Sequence, residues 1–516
     1  MNMNTKPKTL LMKKLPLLIA LTAGILVTSC SKKAPDFVNS IPDQSVIVMS
    51  MHPRQIFDKG QISSLEQLKE DVDDEFMRSI IENPKKSGIM LNEYAFGFVY
   101  MKNENPVIGF VAGLSNSNDF ETMLKTLDEE DELEITTSNG FSQTVVDKEL
   151  SIAWDNEKTL LLGSPDMSMS KEEWAEETST LFNLSKENAI TSLVNFKEFT
   201  GKMKDLNFWV SSDELQELMK STDAMEDMDM QLPMELANNY GQVFCEFSDG
   251  AVYVHSESSF SEEMEKTVGE FMVMKPELNP ALLEITPGND LLMAVAGSFD
   301  IEKLQKLMTR YAPDQVSGVG PQLEQITGMG SDSIWNAFTG DFVIAVNGAG
   351  EGGMIPIEAF IGLGLKDETL QKNLMGTVEG MVPVEEEGDF FVINTNGMEI
   401  YSGITQNIWV ITNARGYKAA LSEGGLEATL NDSEFKEYAG GSMAMYLNLD
   451  MTTYPSQLQQ MMSQNPGQRE MFEAVSSSFR SLGMEARQNE SDMTLITSKS
   501  DENSLYTIMQ LTEKAE

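Results

Sequence analysis

Histidine and cysteine are nearly absent from this chain: His52 and His255, Cys30 and Cys245, and no others in 516 residues. A protein zinc site draws about four ligands, mostly from these two residue types, so a histidine-rich zinc centre is excluded. Cys245 lies in Val243-Phe244-Cys245-Glu246-Phe247, where alternation sets it with Val243 and Phe247 on one strand face. There it is expected to act as a small buried hydrophobe. Basic side chains are also scarce, 37 Lys and Arg against 81 Asp and Glu, a formal charge of −44. Such a surface repels phosphate backbones, so nucleic acid is not an expected partner. Catalytic signatures are missing as well. There is no Gly-x-Ser-x-Gly elbow and no Gly-x-x-x-x-Gly-Lys-[Ser/Thr] phosphate loop.

Long apolar runs are lacking too. The one conspicuous run, Leu15–Val27, has 13 residues, whereas a spanning helix needs about 20. It follows a basic head of Lys6, Lys8, Lys13 and Lys14 and precedes Val27-Thr28-Ser29-Cys30. That order, with a small residue before the cysteine, is a secretory leader with a lipoprotein cleavage site. Cleavage before Cys30 leaves that residue as the new N-terminus carrying a diacylglycerol thioether, and two or more acyl chains hold a protein stably at a membrane. An ordinary secreted protein with a chance cysteine is the alternative. Met12-Lys13-Lys14 is itself a plausible start, so translation begins at Met1 or Met12. With Cys30 acylated, no internal disulfide remains possible. Removing the leader's four lysines leaves 33 basic against 81 acidic side chains, a net of −48.

What is present, beyond the leader, is repetition. Val46–Met51 is answered by Leu291–Ala296. Gly88 with Ala95-Phe96 and Gly97-Phe98-Val99 is answered by Gly330, Ala337-Phe338, Gly340 and Phe342-Val343. Pro106–Leu114 matches Pro356–Leu365. Amphipathic helices follow, bearing Phe120, Met123, Leu124 and Leu127 in one case and Leu370, Leu374, Met375 and Val378 in the other. Ile152–Ser164 resembles Ile400–Asn413, and Ala189–Phe196 resembles Ser442–Leu449, with offsets near 240–253 residues. We therefore expect a leader over 1–29, a lipidated tether over 30–40, and two homologous repeats over 41–280 and 281–516.

Helix starts are legible. Ser63 and Ser64 precede a stripe of Leu65, Leu68, Val72, Phe76 and Ile80. Ser170 with Glu173 makes a capping box, and Asp300 caps a helix of Ile301, Leu304, Leu307, Met308 and Tyr311. Strands come as adjacent pairs such as Ala95–Met101 and Val107–Leu114, joined by the polar 102–105 link. The expected class is α+β, two tandem homologous lobes, each a mainly antiparallel sheet packed with helices. Asp128–Glu132 and Glu385–Glu387 are expected as exposed turns.

The remaining motifs weaken on inspection. Ser168-Met169-Ser170-Lys171 fits Ser-x-x-Lys, but its companion motifs are missing and Ser170 already serves as a cap. Gly318-Val319-Gly320 and Gly328-Met329-Gly330 lack a strand-turn-helix frame and are expected as turns. Asp71, Asp73, Asp74 and Glu75, and again Asp223, Glu226, Asp227 and Asp229, offer oxygen to hard cations without a calcium-loop spacing. Met225, Met228, Met230 and Met234 are thioethers without a histidine or cysteine beside them, a poor copper site and a good adaptable surface. No catalytic residue, metal ligand or cofactor is assigned; the assigned site is lipid attachment at Cys30.

The lipobox, Ile41-Pro42-Asp43-Gln44-Ser45-Val46 opening into a strand, Ser87-Gly88-Ile89 ahead of Ala95-Phe96, and the total length resemble the Bacteroidetes lipoproteins gathered as domain of unknown function 4836. The resemblance covers essentially the whole chain and implies an envelope lipoprotein without a known activity. Lipoproteins exported to the surface in that phylum carry an acidic stretch after the cysteine. Here Ser31-Lys32-Lys33 is basic, which favours a periplasm-facing position. The expected function is a non-catalytic envelope binding or structural protein, held to a membrane through Cys30 and taking an envelope protein, peptide or lipid-like ligand, with a groove between the lobes as the expected seat. The alternatives are a carboxylate-dependent hydrolase of the periplasm and a divalent-cation-binding lipoprotein.

Overall fold

The computed structural model describes residues 34–515 apart from 65–82, 104, 128–132, 147–149, 165–168, 216–238, 261–272, 312–323, 325, 349–355, 396–397, 415, 418, 421–424 and 465. The leader, Cys30, the helix expected from Leu65 onward, both acidic clusters, the 225–234 methionines, Asp128–Glu132, Ser168 and Gly318–Gly320 lie outside the described residues. By contact the chain forms two compact units. The first holds the described residues up to 215 with 239–249 and 501–515; the second holds those of 250–500.

The first unit is an antiparallel sheet of β1 (Ser45–Met51), β2 (Ala95–Lys102), β3 (Asn105–Gly113), β4 (Thr136–Ser138), β5 (Phe141–Val146), β6 (Leu150–Trp154), β7 (Lys158–Gly163), β8 (Leu206–Ser211) and β9 (Tyr240–Ser248). Pairing gives the order β9-β8-β1-β2-β3-β7-β6-β5-β4. The central strands are covered on both faces, which is why β6 is buried at every position instead of alternating as a half-solvated strand does. Leu150, Ile152 and Trp154 join one cluster with Phe110, Phe120, Met123 and Leu124. Ala153 faces the other, with Phe96, Phe98, Trp174, Phe196, Phe199 and Trp209. Helix α2 (Ser117–Leu127) supplies the first face; α3 (Lys171–Phe182) and α4 (Val194–Lys202) supply the second. A short α1 (Pro53–Lys59) follows β1. The Ser170–Glu173 capping box forms as expected.

Gly88 closes a single 3-10 turn in the left-handed region, φ 72°. A Cβ there would lie 2.2 Å from the Asn116 carbonyl oxygen, so only glycine lets the turn meet α2. The sequence tether shortens at its far end. Asp36–Ser40 is a 3-10 helix with Phe37, Val38 and Ser40 buried, so the apolar residues of the stretch pull it into the fold.

The second unit repeats the ladder: β10 (Ala251–Ser259), β11 (Leu291–Ser298), β12 (Phe338–Gly348), β13 (Ile357–Leu365), β14 (Val384–Glu387), β15 (Phe390–Thr395), β16 (Met398–Thr405), β17 (Ile408–Thr412), β18 (Met443–Asn448), β19 (Phe479–Ala486) and β20 (Glu490–Thr497). Their order is β10-β20-β19-β18-β11-β12-β13-β17-β16-β15-β14. From β19 to β14 this is the first unit's order with ten added to each strand number. Its helices are α5 (Pro280–Ile285), α6 (Ile301–Tyr311), α7 (Ser331–Ala337), α8 (Thr369–Glu379), α9 (Ser456–Met462) and α10 (Pro466–Ser478). Asp300 Oδ1 accepts from the Glu302 and Lys303 amides, capping α6 as expected. Gly328-Met329-Gly330 is a turn, with Gly328 at φ 67° and Gly330 leading into α7. Glu385–Glu387 corrects an expectation: these exposed residues are strand, paired with Phe390–Val392.

One further correction concerns a match within the repeat. Ser442–Leu449 contains β18, whereas Ala189–Phe196 is a 3-10 turn leading into α4. The fold instead equates Ala189, bridged to Pro42, with Thr429, bridged to Pro287. Phe196-Lys197-Glu198-Phe199 then matches Phe435-Lys436-Glu437-Tyr438, with both leading phenylalanines fully buried. The two compact units are not simple halves of the chain. Strand β10 pairs along its length with β20 of the second unit, while helix α11 (Ser504–Ala515), which follows β20, belongs to the first. Leu505 and Met509 of α11 pack by Gly60 and against the β6 face cluster.

Candidate functional site

The sparse nucleophiles and bases come first. His52 is the N-cap of α1, its Nδ1 accepting from the Gln55 amide at 3.4 Å. Its ring stands edge-on to Tyr94 at 5.1 Å, and burial lowers its pKa, so a neutral imidazole occupies the cap. Around it the fold gathers residues that sequence spacing did not connect. Asp205 accepts from Lys59 Nζ at 2.6 Å and from the Phe247 amide at 2.7 Å, both on Oδ2. The His52 amide donates to the Asp205 carbonyl at 2.9 Å. Cys245 is half-buried on this strand beside Asp205, not fully buried as expected, because Gln242, Phe244 and Phe247 take the covered positions of β9. Burial and then Asp205 push its thiol to about 11, so it stays protonated and unreactive at neutral pH. Tyr94 rises to about 12 by burial. With its aspartate committed to a lysine and an amide, this cluster braces structure.

The second unit has its own buried carboxylate. Asp341 accepts from Lys275 Nζ at 2.8 Å, Thr339 Oγ1 at 2.8 Å and Asn279 Nδ2 at 3.2 Å. Burial alone would raise its pKa, but bonds from Lys275, Ser298 and Thr339 outweigh it and hold the carboxyl below its ordinary value. His255 is a cross-strand partner of Asp492, with Nδ1 2.8 Å from Oδ1. Among the described residues, no group of three or more His, Cys, Asp or Glu side chains is placed to hold a metal ion.

A cavity of about 770 Å³ opens in the second unit, where the chain leaves β18 for α9 and α10 before returning at β19. Its apolar lining is Met451, Met462 and Phe472; Thr452, Gln459, Gln460, Ser463, Arg469, Glu473, Ser476 and Ser477 supply most of the rest. The frame is hydrogen-bonded. Met451 N–H donates to Ser476 Oγ at 2.9 Å, and Gln459 Nε2 donates to the Tyr454 carbonyl at 2.8 Å. Tyr454 in turn donates to the Asn448 carbonyl at 2.6 Å, fixing the excursion to the end of β18. Arg469 Nε lies 2.7 Å from Glu473 Oε1, one helical turn away. Helix α9 contains no buried residue, and Met461 and Met471 are 59% and 57% exposed. A shallow helix with few buried contacts opens at low cost, and unbranched methionine adapts to varied shapes. The sequence carries a signal here, Met461-Met462 and Met471-Phe472, but it is weaker than the denser methionines at 225–234.

A model of the domain of unknown function DUF4836 matches residues 37–505. The chain belongs to this family. No curated protein matches this DUF4836 chain by sequence. Among solved structures it is similar to TP0453 in crystal form III, with 5% identity over 48% of this chain and 90% of that one and a TM-score of 0.26. Crystal form IV of TP0453 gives 7% identity over 43% and 80%, also at 0.26. Overlap that slight carries no functional inference.

Proposed function

We propose that this DUF4836 protein is a lipid-tethered, non-catalytic binding protein of the cell envelope, facing the periplasm, and that it takes a peptide segment of a partner protein. The observation that carries the reading is the cavity over α9 and α10. Three apolar side chains sit at its wall among amide, hydroxyl and charged groups, flanked by exposed Met461 and Met471. That mixture suits a peptide offering one or two apolar side chains and a polar backbone, where a lipid chain would ask for a longer apolar wall. The sequence around Cys30 supports the tether, and the structural employment of His52, His255 and Cys245 supports a non-catalytic role.

Two experiments test it. A palmitate analogue is expected to label the protein in cells and to leave Cys30→Ala unlabelled; equal labelling of both removes the tether. Selection of a displayed random-peptide library on the purified protein is expected to recover sequences with methionine, leucine or phenylalanine anchors. Their binding should fall at least tenfold in Phe472→Asp, with the thermal midpoint unchanged. Binding indifferent to Phe472→Asp would move the site elsewhere.

A further inference from the structure

Residues 39–41 are fixed against the 3-10 turn that leads into α4 and against Lys158 of β7. The Ile190 amide donates to the Ile41 carbonyl at 2.9 Å, Thr191 Oγ1 to Asn39 Oδ1 at 2.5 Å, and Lys158 Nζ to Ser40 Oγ at 2.9 Å. Ala34, Pro35 and Asp36 thereby share a cavity of about 390 Å³ with Lys186, Phe196 and Lys197. Val194, the first residue of α4, is 71% exposed, among the most exposed large hydrophobic side chains described, and its N-cap Leu193 makes no side-chain cap.

We infer that this face, Val194 with Lys186 and Lys197, is the surface the protein lays on an anionic phospholipid membrane. The inference rests on the proposed lipid at Cys30. Three residues, hence four Cα steps, separate Cys30 from Ala34, and an extended chain spans at most about 3.6 Å per step, so the acyl chains hold Ala34 within about 14 Å of the bilayer interface. The surface around Ala34 is therefore the part of the first unit that the tether brings nearest the headgroups. For most of this molecule that approach is repulsive, since without the leader acidic side chains outnumber basic ones 81 to 33, and the anionic leaflet repels them within a Debye length of about 8 Å. This face departs from the average. Lys186 and Lys197 stand beside Asp36, Glu187 and Glu198, with Lys186 Nζ 3.4 Å from Asp36 Oδ1, and the tether adds Lys32 and Lys33 in sequence. Four lysines against these three carboxylates and Asp43, whose amide bonds the Asn188 carbonyl, leave this edge without the net negative charge of the chain as a whole. Val194 then has an apolar layer to enter, which answers for a β-branched residue left bare at a helix start.

The test uses the full lipidated protein in a Cys245→Ala background, reconstituted on vesicles of phosphatidylglycerol and phosphatidylcholine. Val194→Cys is expected to react with a membrane-impermeant maleimide at least fivefold more slowly on vesicles than in detergent, while Thr137→Cys, exposed on β4, reacts equally in both. Adding Lys186→Glu and Lys197→Glu should restore the fast reaction at Val194→Cys. A protein that floats with the vesicles yet reacts at position 194 as fast as in detergent overturns the docking face alone. One that fails to float overturns the tether beneath it.

Discussion

The two units run nearly the same strand ladder and fill it differently. Trp174, Trp209, Phe96, Phe98, Phe120, Phe196 and Phe199 are all fully buried in the first unit; the second answers with Phe360 and Phe435. Rings meet across the first core, Phe196 against Trp209 at 5.8 Å and Phe199 against Phe244 at 5.6 Å. In the second, Ala294, Ala296, Ala345 and Ala444 line the central strands at zero exposure, with bulk brought in by Tyr417 stacked edge-on to Phe360 at 5.2 Å. A ladder of backbone hydrogen bonds tolerates either filling so long as volume is conserved. The contrast therefore locates stability: in ring clusters in one unit, in buried alanines packed with a few large rings in the other.

The sharpest way to break the comparison is at its equivalent phenylalanines. Phe196→Ala and Phe435→Ala each open a cavity in a closed core and should cost about 3–5 kcal/mol. Phe196 loses contact with both Phe199 and Trp209, so its cost should be the larger by about 1 kcal/mol. Tryptophan emission separates the two, since Trp154, Trp174 and Trp209 report on the first unit and Trp335 and Trp409 on the second. Equal costs would mean that the rings contribute area alone.

Next come the buried carboxylates. Asp205→Ala strands Lys59 and the Phe247 amide; Asp341→Ala strands Lys275. Removing one member of a buried pair costs about 3–5 kcal/mol, and the partly exposed lysines reduce this to about 2–3 kcal/mol in urea denaturation. The pH dependence sharpens the difference. The Asp341 carboxyl is held below its ordinary value in the folded chain. Its contribution is therefore present above the unfolded carboxylate pKa, about 3.9, and is lost as pH falls through the folded value. Below about pH 4 the second unit's unfolding midpoint should drop, and Asp341→Asn should flatten that part of the profile. An unchanged acid profile would show that Asp341 is not held in the folded state as described.

Patterns set by near neighbours are legible in the sequence itself: the Ser170 and Asp300 caps, the β2–β3 hairpin, the helix stripes of α2 and α8, the mixed α+β class. Features set by distant partners are not. Lys59 and Asp205 are separated by 146 residues and Lys275 and Asp341 by 66, and neither pair has a periodicity that announces it. The misplaced match of Ala189–Phe196 to Ser442–Leu449 has a physical origin too. Short alternations of small and apolar residues fit a 3-10 turn entering a helix as well as a strand. The phenylalanine-lysine-glutamate-aromatic tetrad, each in its own core, was the better signal. The cavity over α9 and α10 escaped because its helices are polar and bury little, so no stripe marked them.

The smallest expected effect probes the same contrast at one pair of positions. Trp209 lies opposite Val48 on β1, and Tyr446 opposite Ala294 on β11. Tyr446 donates to Glu434 Oε2 at 3.2 Å, and Arg480 holds the other oxygen at 2.9 Å. Tyr446→Phe removes one bond to a carboxylate that keeps a partner, and should cost about 1 kcal/mol. Trp209 is wholly buried, yet among the described residues its Nε1–H has no hydrogen-bond partner, and neither has Oε1 of its cross-strand neighbour Gln242. An unpaired buried donor already costs about 1–3 kcal/mol. Trp209→Phe removes that cost along with the indole's extra volume, so the two terms oppose each other. The net change should not exceed that of Tyr446→Phe, although far more of the side chain is deleted. A loss above about 2 kcal/mol in urea denaturation would show that the indole N–H has a partner in solution, and the first unit would then owe its stability to polar pairing as well as to rings.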